Sequence, residues 1–471
     1  MNARAGDPRP PAPSGDKTPL KVTIRNFLYL EAAPDELLAT LKDRLTLPNP
    51  KWLENERMGR WNRGTPKELR FYRALKGGGL RIPRGYMRQL VLTCRRLGLE
   101  CNVDDRRRSL PPVDLAFNGT LKPFQTEAVR QMLARDFGTL SAPTGCGKTV
   151  MGLFIIARRR QPALIVVHTR ELADQWRERI HQFLGVPPGE VGFIGAGRRT
   201  IGSRITVAMV QSLCKCGPEI APGIGQIVVD ECHRTPSRTF TDAVTQFDAR
   251  FMLGLSATPW RRDRLSKLIF WHLGDVHHDI PRETLIASGD VLPAEVVLRE
   301  TEFRPYFDPV SEYTRMLAEL TADQERNQMI VADVAQECTQ GSGVCLVLSD
   351  RKAHCENLKL LLRYRHAMEA ELLTGDLRVG QRREVLERLR EGRVRVLIAT
   401  GQLVGEGFDC PDLSTLFMAT PIRFSGRVLQ YLGRVLRPAP GKHSARVFDY
   451  VDIHVETLVH AARARQRIYS A

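Results

Sequence analysis

From about residue 115 to 275, and again from about 325, short apolar runs alternate with longer segments whose apolar residues recur every three or four positions. The first series has runs at Phe137–Leu140, Leu164–His168, Ile205–Ala208, Gln226–Asp230 and Phe251–Leu255. The second has them at Val344–Leu348, Glu371–Leu373, Val394–Ala399, Thr415–Ala419 and Arg446–Tyr450. Apolar runs of this length read as strands covered on both faces, and helical spacing between them supplies the cover. The pattern predicts an α/β fold with two parallel-sheet domains in tandem, at 113–285 and 326–471, joined by a linker at 286–325.

The chain ahead of them reads differently. Residues 1–19 are rich in proline and poor in anything that buries, which predicts a disordered tail. Val22 to Leu30 alternates as one strand, and Pro34-Asp35-Glu36 opens a helix with Leu37, Leu38, Leu41 and Leu45 on one side. Two further helices are predicted at Pro66–Lys76 and Arg84–Leu97, with Gly77-Gly78-Gly79 as the turn between them. The second would turn Met87, Leu90, Val91, Cys94 and Leu97 inward. This gives a small α+β domain over 20–112, ending at the Arg-rich turn Asp104–Arg108 and the Pro111-Pro112 pair.

Charge changes the picture most in that small domain. The chain carries a net charge of +17, and residues 1–115 hold 23 Lys/Arg against 13 Asp/Glu. An excess of this size points to an anionic partner. Arg57, Arg60, Trp61, Arg63, Arg70, Tyr72, Arg73, Arg81, Arg84 and Arg88 interleave cations with aromatics, as phosphate and base contact requires. The same residues also fit a solvated basic face with Trp52 and Trp61 in a core. Ten scattered cysteines form no disulfide framework, and no apolar run is long enough to span a bilayer. With no signal-like N-terminus, a cytoplasmic protein without a membrane partner is expected.

The candidate chemistry begins at Ser141-Ala142-Pro143-Thr144-Gly145-Cys146-Gly147-Lys148-Thr149, between the first strand and a helix-spaced segment. Strand, glycine-rich turn, Lys-Thr and helix is the build of a phosphate-binding loop. Backbone N–H groups of the turn face the anion, Lys148 reaches outer phosphates and the Thr149 hydroxyl suits Mg2+. The strand at 226–230 ends in Asp230-Glu231-Cys232-His233. In a phosphate-loop ATPase the first acid ends a neighbouring strand and holds the metal, and the second orients the attacking water.

These blocks, with others in order, resemble the motifs of superfamily 2 helicases and translocases, whose box is D-E-x-H. Leu121-Lys122-Pro123-Phe124-Gln125 resembles that family's adenine-reading motif, which would make Gln125 the base contact. His168-Thr169-Arg170-Glu171-Leu172 and Val207–Leu213 resemble strand-contacting motifs, implying nucleic-acid roles for Thr169, Arg170 and Gln211. Leu255-Ser256-Ala257-Thr258-Pro259 is similar to the Ser-Ala-Thr motif, which implies that Ser256 and Thr258, with His233, couple nucleotide state to strand binding. Ala399-Thr400-Gly401 and Gly405-Glu406-Gly407-Phe408-Asp409 resemble motif V, giving Thr400 to nucleic acid and Gly405 and Asp409 to coupling. Gln430-Tyr431-Leu432-Gly433-Arg434-Val435-Leu436-Arg437 resembles motif VI, implying catalytic roles for Gln430, Arg434 and Arg437 beside Glu231.

The resemblance spans 121–437 and implies two RecA-like domains, with ATP and Mg2+ as cofactors held by Thr144, Gly145, Cys146, Gly147, Lys148, Thr149 and Asp230. Thr258-Pro259-Trp260-Arg261-Arg262-Asp263 looks most like the branch of XPB-like DNA translocases and type III restriction motor subunits. The implied activity is an ATP-driven motor on DNA, working with protein partners in repair, recombination or defence. An RNA-remodelling ATPase shares the motifs. A catalytically silent scaffold would lack Lys148, Asp230, Glu231 or Arg434, and all four are present.

Overall fold

A computed structural model describes residues 19–233, 237–257, 266–341, 343–401, 410, 412–422, 425–440, 442 and 444–469. The strands of the N-terminal unit are β1 (Leu20–Ile24), β2 (Phe27–Glu31), β3 (Thr46–Pro48), β4 (Glu68–Arg70), β5 (Arg73–Ala74), β6 (Leu80–Pro83) and β7 (Cys101–Asp105). Five of them make a mixed sheet in the order β5-β6-β2-β1-β7, and β3 pairs with β4 apart from it. The expected single strand at 22–30 is a hairpin, with Arg25 N–H donating to the Phe27 carbonyl. Its two-residue turn keeps the apolar alternation in phase, so the pattern does not register it.

The helix expected at 66–76 is absent; β4 and β5 occupy that stretch, and the triple glycine turns between strands rather than helices. The helix of this region lies earlier, at Pro50–Arg57, started by proline at its first position and by the Asn49 side chain accepting from Lys51 N–H. The helix expected at 84–97 is found as a short 3-10 turn running into Met87–Arg96.

The second unit holds β8 (Phe137–Ser141), β9 (Ala163–Val167), β10 (Gly192–Gly195), β11 (Arg198–Thr200), β12 (Ile205–Met209), β13 (Gln226–Val229), β14 (Phe251–Ser256) and β15 (Val276–Asp279). Their order is β11-β10-β12-β9-β13-β14-β8-β15, parallel except for the β10–β11 edge hairpin. Helices such as Lys148–Arg159 and Arg170–Leu184 cover it, and Ile155, Ile165, Trp176 and Leu255 share one buried cluster.

The third unit holds β16 (Ala294–Thr301), β17 (Val344–Ser349), β18 (Glu371–Leu373), β19 (Val396–Thr400), β20 (Leu413–Met418) and β21 (Ala445–Asp452), parallel in the order β16-β21-β20-β17-β19-β18. The expected linker at 286–325 is therefore not free chain. It supplies edge strand β16, paired with β21 over eight residues, and the helix Tyr313–Ala322. An edge strand needs only part of its surface covered, so its mixed polarity hid it among linker residues. The result is an α/β fold with more than one parallel-sheet domain.

The N-terminal unit is fastened to the second. Leu268 and Trp271 sit in its hydrophobic core. Arg84, expected on the basic face, is 2% exposed and donates to the Ala249 carbonyl at 2.7 Å. Burial, aided by the Arg107 charge, lowers its pKa to about 9. Asn26 donates to the Thr245 carbonyl at 2.8 Å, and Arg108 pairs with Asp248 at 2.9 Å.

Candidate nucleotide site between two sheets

The phosphate-loop segment leaves the end of β8, where Ala142 N–H donates to the Ser256 carbonyl at 2.9 Å. Gly147 turns the chain at φ +84° into the helix Lys148–Arg159. A β-carbon on Gly147 would lie 2.5 Å from Nε2 of Gln125, so glycine is what lets that amide approach. Gln125 donates to the Cys146 carbonyl at 2.8 Å and accepts from Lys122 N–H at 3.0 Å. Both ends of the amide expected to read the base are thus engaged, one by the loop and one by the start of its own helix.

Lys148 is buried, and its ammonium donates to the carbonyls of Ala142 at 3.2 Å and Pro143 at 3.4 Å. It stands 3.9 Å from Glu231. The Cys146 thiol donates to the Pro143 carbonyl at 2.9 Å, and burial raises its pKa, so it is a neutral packing group. Among the described residues the Thr144 hydroxyl is buried without a hydrogen-bond partner. A buried polar group of that kind, beside turned backbone, fits an anion acceptor supplied from outside the chain.

The acid pair stands across from the loop, but its strand is not the loop strand's neighbour. Between β8 and β13 lies β14, whose terminal Ser256 is in register with Ser141. Asp230 is 6% exposed, accepts from the Trp176 indole at 2.8 Å and accepts from Glu231 N–H at 2.9 Å. Burial, reinforced by the Glu231 charge, raises its pKa to about 6. Glu231 adopts φ +46°, a conformation rare for a residue with a side chain, and such strain clusters at functional sites. Its carboxylate lies 3.3 Å from His233, whose Nδ1 is 2.9 Å from the Ser256 hydroxyl. Lys148, Glu231, His233 and Ser256 therefore form one chain of contacts.

The third unit closes the site. Its helix Ser425–Val435 carries Gln430 and Arg434, and Arg437 follows it. Gly433 lies against the loop so closely that a β-carbon there would stand 2.4 Å from the Thr144 β-carbon. The Arg437 side chain covers Gly145, and Tyr431 donates to the Gly401 carbonyl at 2.7 Å. Lys442 caps the helix end through the carbonyls of Val435 and Arg437. A cavity of about 790 Å³ results, lined by Thr144, Gly145, Lys148, Thr149, Asp230 and Glu231 on one wall and Arg434 and Arg437 on the other.

Thr169 caps the helix Arg170–Leu184, Arg170 is exposed, and the Gln211 amide lies 3.5 Å from the His168 carbonyl. These residues stand at the ends of adjacent strands β9 and β12, outside the cavity. Thr400 ends β19, paired in register with Ser349. Thr258, Gly405 and Asp409 lie outside the described residues, as do the segment 259–263 and the Gln430 side chain. Two parts of the site carried no motif signal: Trp176, seven residues after Thr169, and Asp290, which pairs with Lys122 at the cavity wall.

Residues 118–261 match the family model described as "Type III restriction enzyme, res subunit", and residues 327–439 match "Helicase conserved C-terminal domain". The chain is 24% identical over 96% of its length, and 85% of the other's, to a protein of Acanthamoeba polyphaga mimivirus named "Putative ATP-dependent RNA helicase L396". It is 26% identical over 67% of its length, and 78% of the other's, to the DNA 3'-5' translocase XPB2 of Sulfurisphaera tokodaii. Among solved structures, one described as the fragment structure of "a putative HsdR subunit of a type I restriction enzyme from Vibrio vulnificus YJ016" shares the fold. Its TM-score is 0.55, with 17% identity, over 74% of this chain and 66% of that one.

The fold and these domains define an ATP-dependent nucleic-acid motor. More closely, the chain has the superfamily 2 helicase and translocase fold, with a second unit matching the type III restriction enzyme res-subunit model and a helicase C-terminal domain, and is related to the XPB translocases.

Proposed function

We propose that the chain is an ATP-driven translocase or helicase acting on DNA, built on two tandem RecA-like domains. The observation that carries this reading is the shared cavity. Arg434 and Arg437 enter from the third unit, and Lys148, Thr149, Asp230 and Glu231 from the second.

The loop N–H groups and Lys148 bind the outer phosphates of ATP. Thr149 and Asp230 would hold Mg2+, which when bound offsets charge on those phosphates. The fit rests on the donor set: the Thr149 hydroxyl and the buried Asp230 carboxylate line the same cavity and offer the hard oxygen ligands that Mg2+ takes. Glu231 orients and deprotonates the attacking water, and its contacts with Lys148 and His233 hold it in place. Arg434 and Arg437 stabilise charge as the terminal phosphoryl departs, an effect worth roughly 10³–10⁵ in rate for an arginine finger. They act only with the units closed, so hydrolysis is linked to closure, and a strand spanning both units is gripped and released in turn.

The Ser256–His233 contact supports a path from the nucleotide to the neighbouring strand ends, where Thr169, Arg170 and Gln211 stand ready for nucleic acid. A net charge of +17 supports a nucleic acid as the partner, and the kinship with a DNA translocase favours DNA. The mimivirus relative favours RNA as the second reading. We place the protein in the cytoplasm, with protein partners in repair, recombination or defence.

The test is the ATPase rate with single-stranded, duplex and forked DNA and with RNA as activators. Stimulation by DNA above RNA is expected, and the reverse order would transfer the reading to RNA. Lys148→Ala and Glu231→Gln should each abolish turnover; normal turnover in either removes the assignment.

A further inference from the structure

We propose that the loop carrying Trp61 is a separate binding site for unpaired nucleic acid, in which bases stack on the indole while Arg60 and Arg63 take phosphates. The proposal rests on the reading of the chain as a nucleic-acid motor, and it adds a contact outside the two-sheet machinery.

Trp61 is 85% exposed, whereas Trp176 and Trp271 are buried. Leu53 and Met58, at 49% and 46% exposed, lie within eight residues of it. Three large apolar side chains exposed within one short segment offer surface for an interaction. The display is not a matter of loose chain. Arg60 N–H donates to the Asn55 carbonyl at 2.7 Å, and Thr65 N–H to the Asn62 carbonyl at 2.9 Å. The Asn55 side chain donates to that of Asn62 at 3.0 Å, and Asn62 in turn to the Trp52 carbonyl at 3.2 Å. Asn49 ties the base of the loop to the Pro66 carbonyl at 2.7 Å. Hydrogen bonds on both sides of Trp61 pin the backbone that presents it.

The surroundings select the occupant. Residues 49–73 hold seven Lys/Arg against three Asp/Glu. Arg57, Arg60 and Arg63 are exposed and, among the described residues, pair with no carboxylate. An exposed indole flanked in sequence by guanidinium groups that, among the described residues, pair with no carboxylate matches a strand that offers bases and phosphates together. Duplex interiors hide their base faces in the stack, so the match is to unpaired nucleotides. The loop also rides with the phosphate-binding unit, because Arg84, Asn26 and Arg108 fasten the N-terminal unit to it. It therefore holds a strand at a fixed distance from the nucleotide while the third unit moves.

The experiment uses the full chain and its Trp61→Ala, Trp61→Phe and Arg60→Ala/Arg63→Ala variants. Affinity is read by fluorescence anisotropy on oligo-dT and on a duplex closed by hairpins at both ends, over a salt series. Trp61→Ala should weaken oligo-dT binding on the order of tenfold, with Trp61→Phe recovering most of it and the closed duplex changing less than twofold. The double arginine variant should lower the salt slope on oligo-dT by about 1.4. Unchanged oligo-dT affinity in Trp61→Ala overturns the proposal, as does an equal loss on the closed duplex. A protein-docking role for the loop would give the first of these results. The motor reading fails separately, if no nucleic acid stimulates the wild-type ATPase.

Discussion

The indole Nε1 of Trp176 donates a 2.8 Å hydrogen bond to Oδ2 of Asp230, joining a covering helix to the acid pair from behind. The bond lowers the pKa of a carboxyl that burial and Glu231 push up. Trp176→Phe keeps an aromatic ring in place but deletes the donor, leaving a buried carboxylate short of one partner at a cost of about 1–3 kcal/mol. Turnover should fall about ten- to a hundredfold, while affinity for a non-hydrolysable nucleotide changes only a few-fold. A kcat within twofold of wild type would show the bond to be idle.

Gly433 tests the closure. A methyl group there would meet the Thr144 β-carbon at 2.4 Å and the Thr144 carbonyl oxygen at 3.0 Å, and neither is the far end of a flexible side chain. Gly433→Ala should hold the units apart and withdraw Arg434 and Arg437 from the phosphate loop. The expected result is loss of nucleic-acid-stimulated ATPase with nucleotide binding nearly unchanged. Stimulated turnover at the wild-type rate would mean that closure tolerates the extra carbon.

Asp290 and Lys122 meet at the wall of the candidate nucleotide cavity, far apart in sequence. Burial works against the Asp290 charge, and hydrogen bonds from Lys122 and Ser288 overcome it, so its carboxyl lies below the usual range. Asp290→Ala frees the lysine at the foot of the Gln125 helix and loosens ground-state binding. KM for ATP should rise several-fold with kcat within twofold, the signature of a uniform binding loss. An equal fall in kcat would place the pair in the chemical step.

Two histidines make the fold acid-sensitive. Burial lowers the pKa of His272 to about 4, and burial with the Arg326 charge lowers that of His354 to about 3. His354 is held between the Ser349 hydroxyl at 2.9 Å and the side-chain amide oxygen of Asn327 at 2.7 Å. Unfolded histidine titrates near 6.5, so each contributes stability that is present above that pH and lost as pH falls towards the folded value. The slope is about 1.4 kcal/mol per pH unit for each group. Calorimetric unfolding should shift to lower temperature from pH 7.5 to 5.5, and less steeply in His354→Gln. An identical pH slope in that variant would exclude the histidine as a cause.

Much of the candidate site was legible along the chain because its parts are local. The turn at 143–147, Lys148-Thr149 and the strand ending in Asp230-Glu231 are short segments whose spacing can be read residue by residue. Covered strands were equally legible, since β9, β13, β17 and β20 must be apolar on both faces. Edge strands β15 and β16 escaped notice, because one covered face leaves room for residues such as His277, His278 and Arg299. The segment 66–76 misled, because Leu69, Phe71 and Leu75 satisfy a helical spacing and a bent strand alike.

What the sequence by itself determined was the kind of machine: phosphate loop, acid pair and distant arginines are residue types in order, and order survives without coordinates. Only the tertiary structure decided who meets whom. It placed β14 between the loop strand and the acid strand, turned Gln125 towards the loop, set Trp176 behind Asp230 and buried Arg84 in a joint while leaving Trp61 in water. Each of these depends on contacts between segments tens to hundreds of residues apart. Such contacts are settled by packing the whole chain, and no local periodicity encodes them.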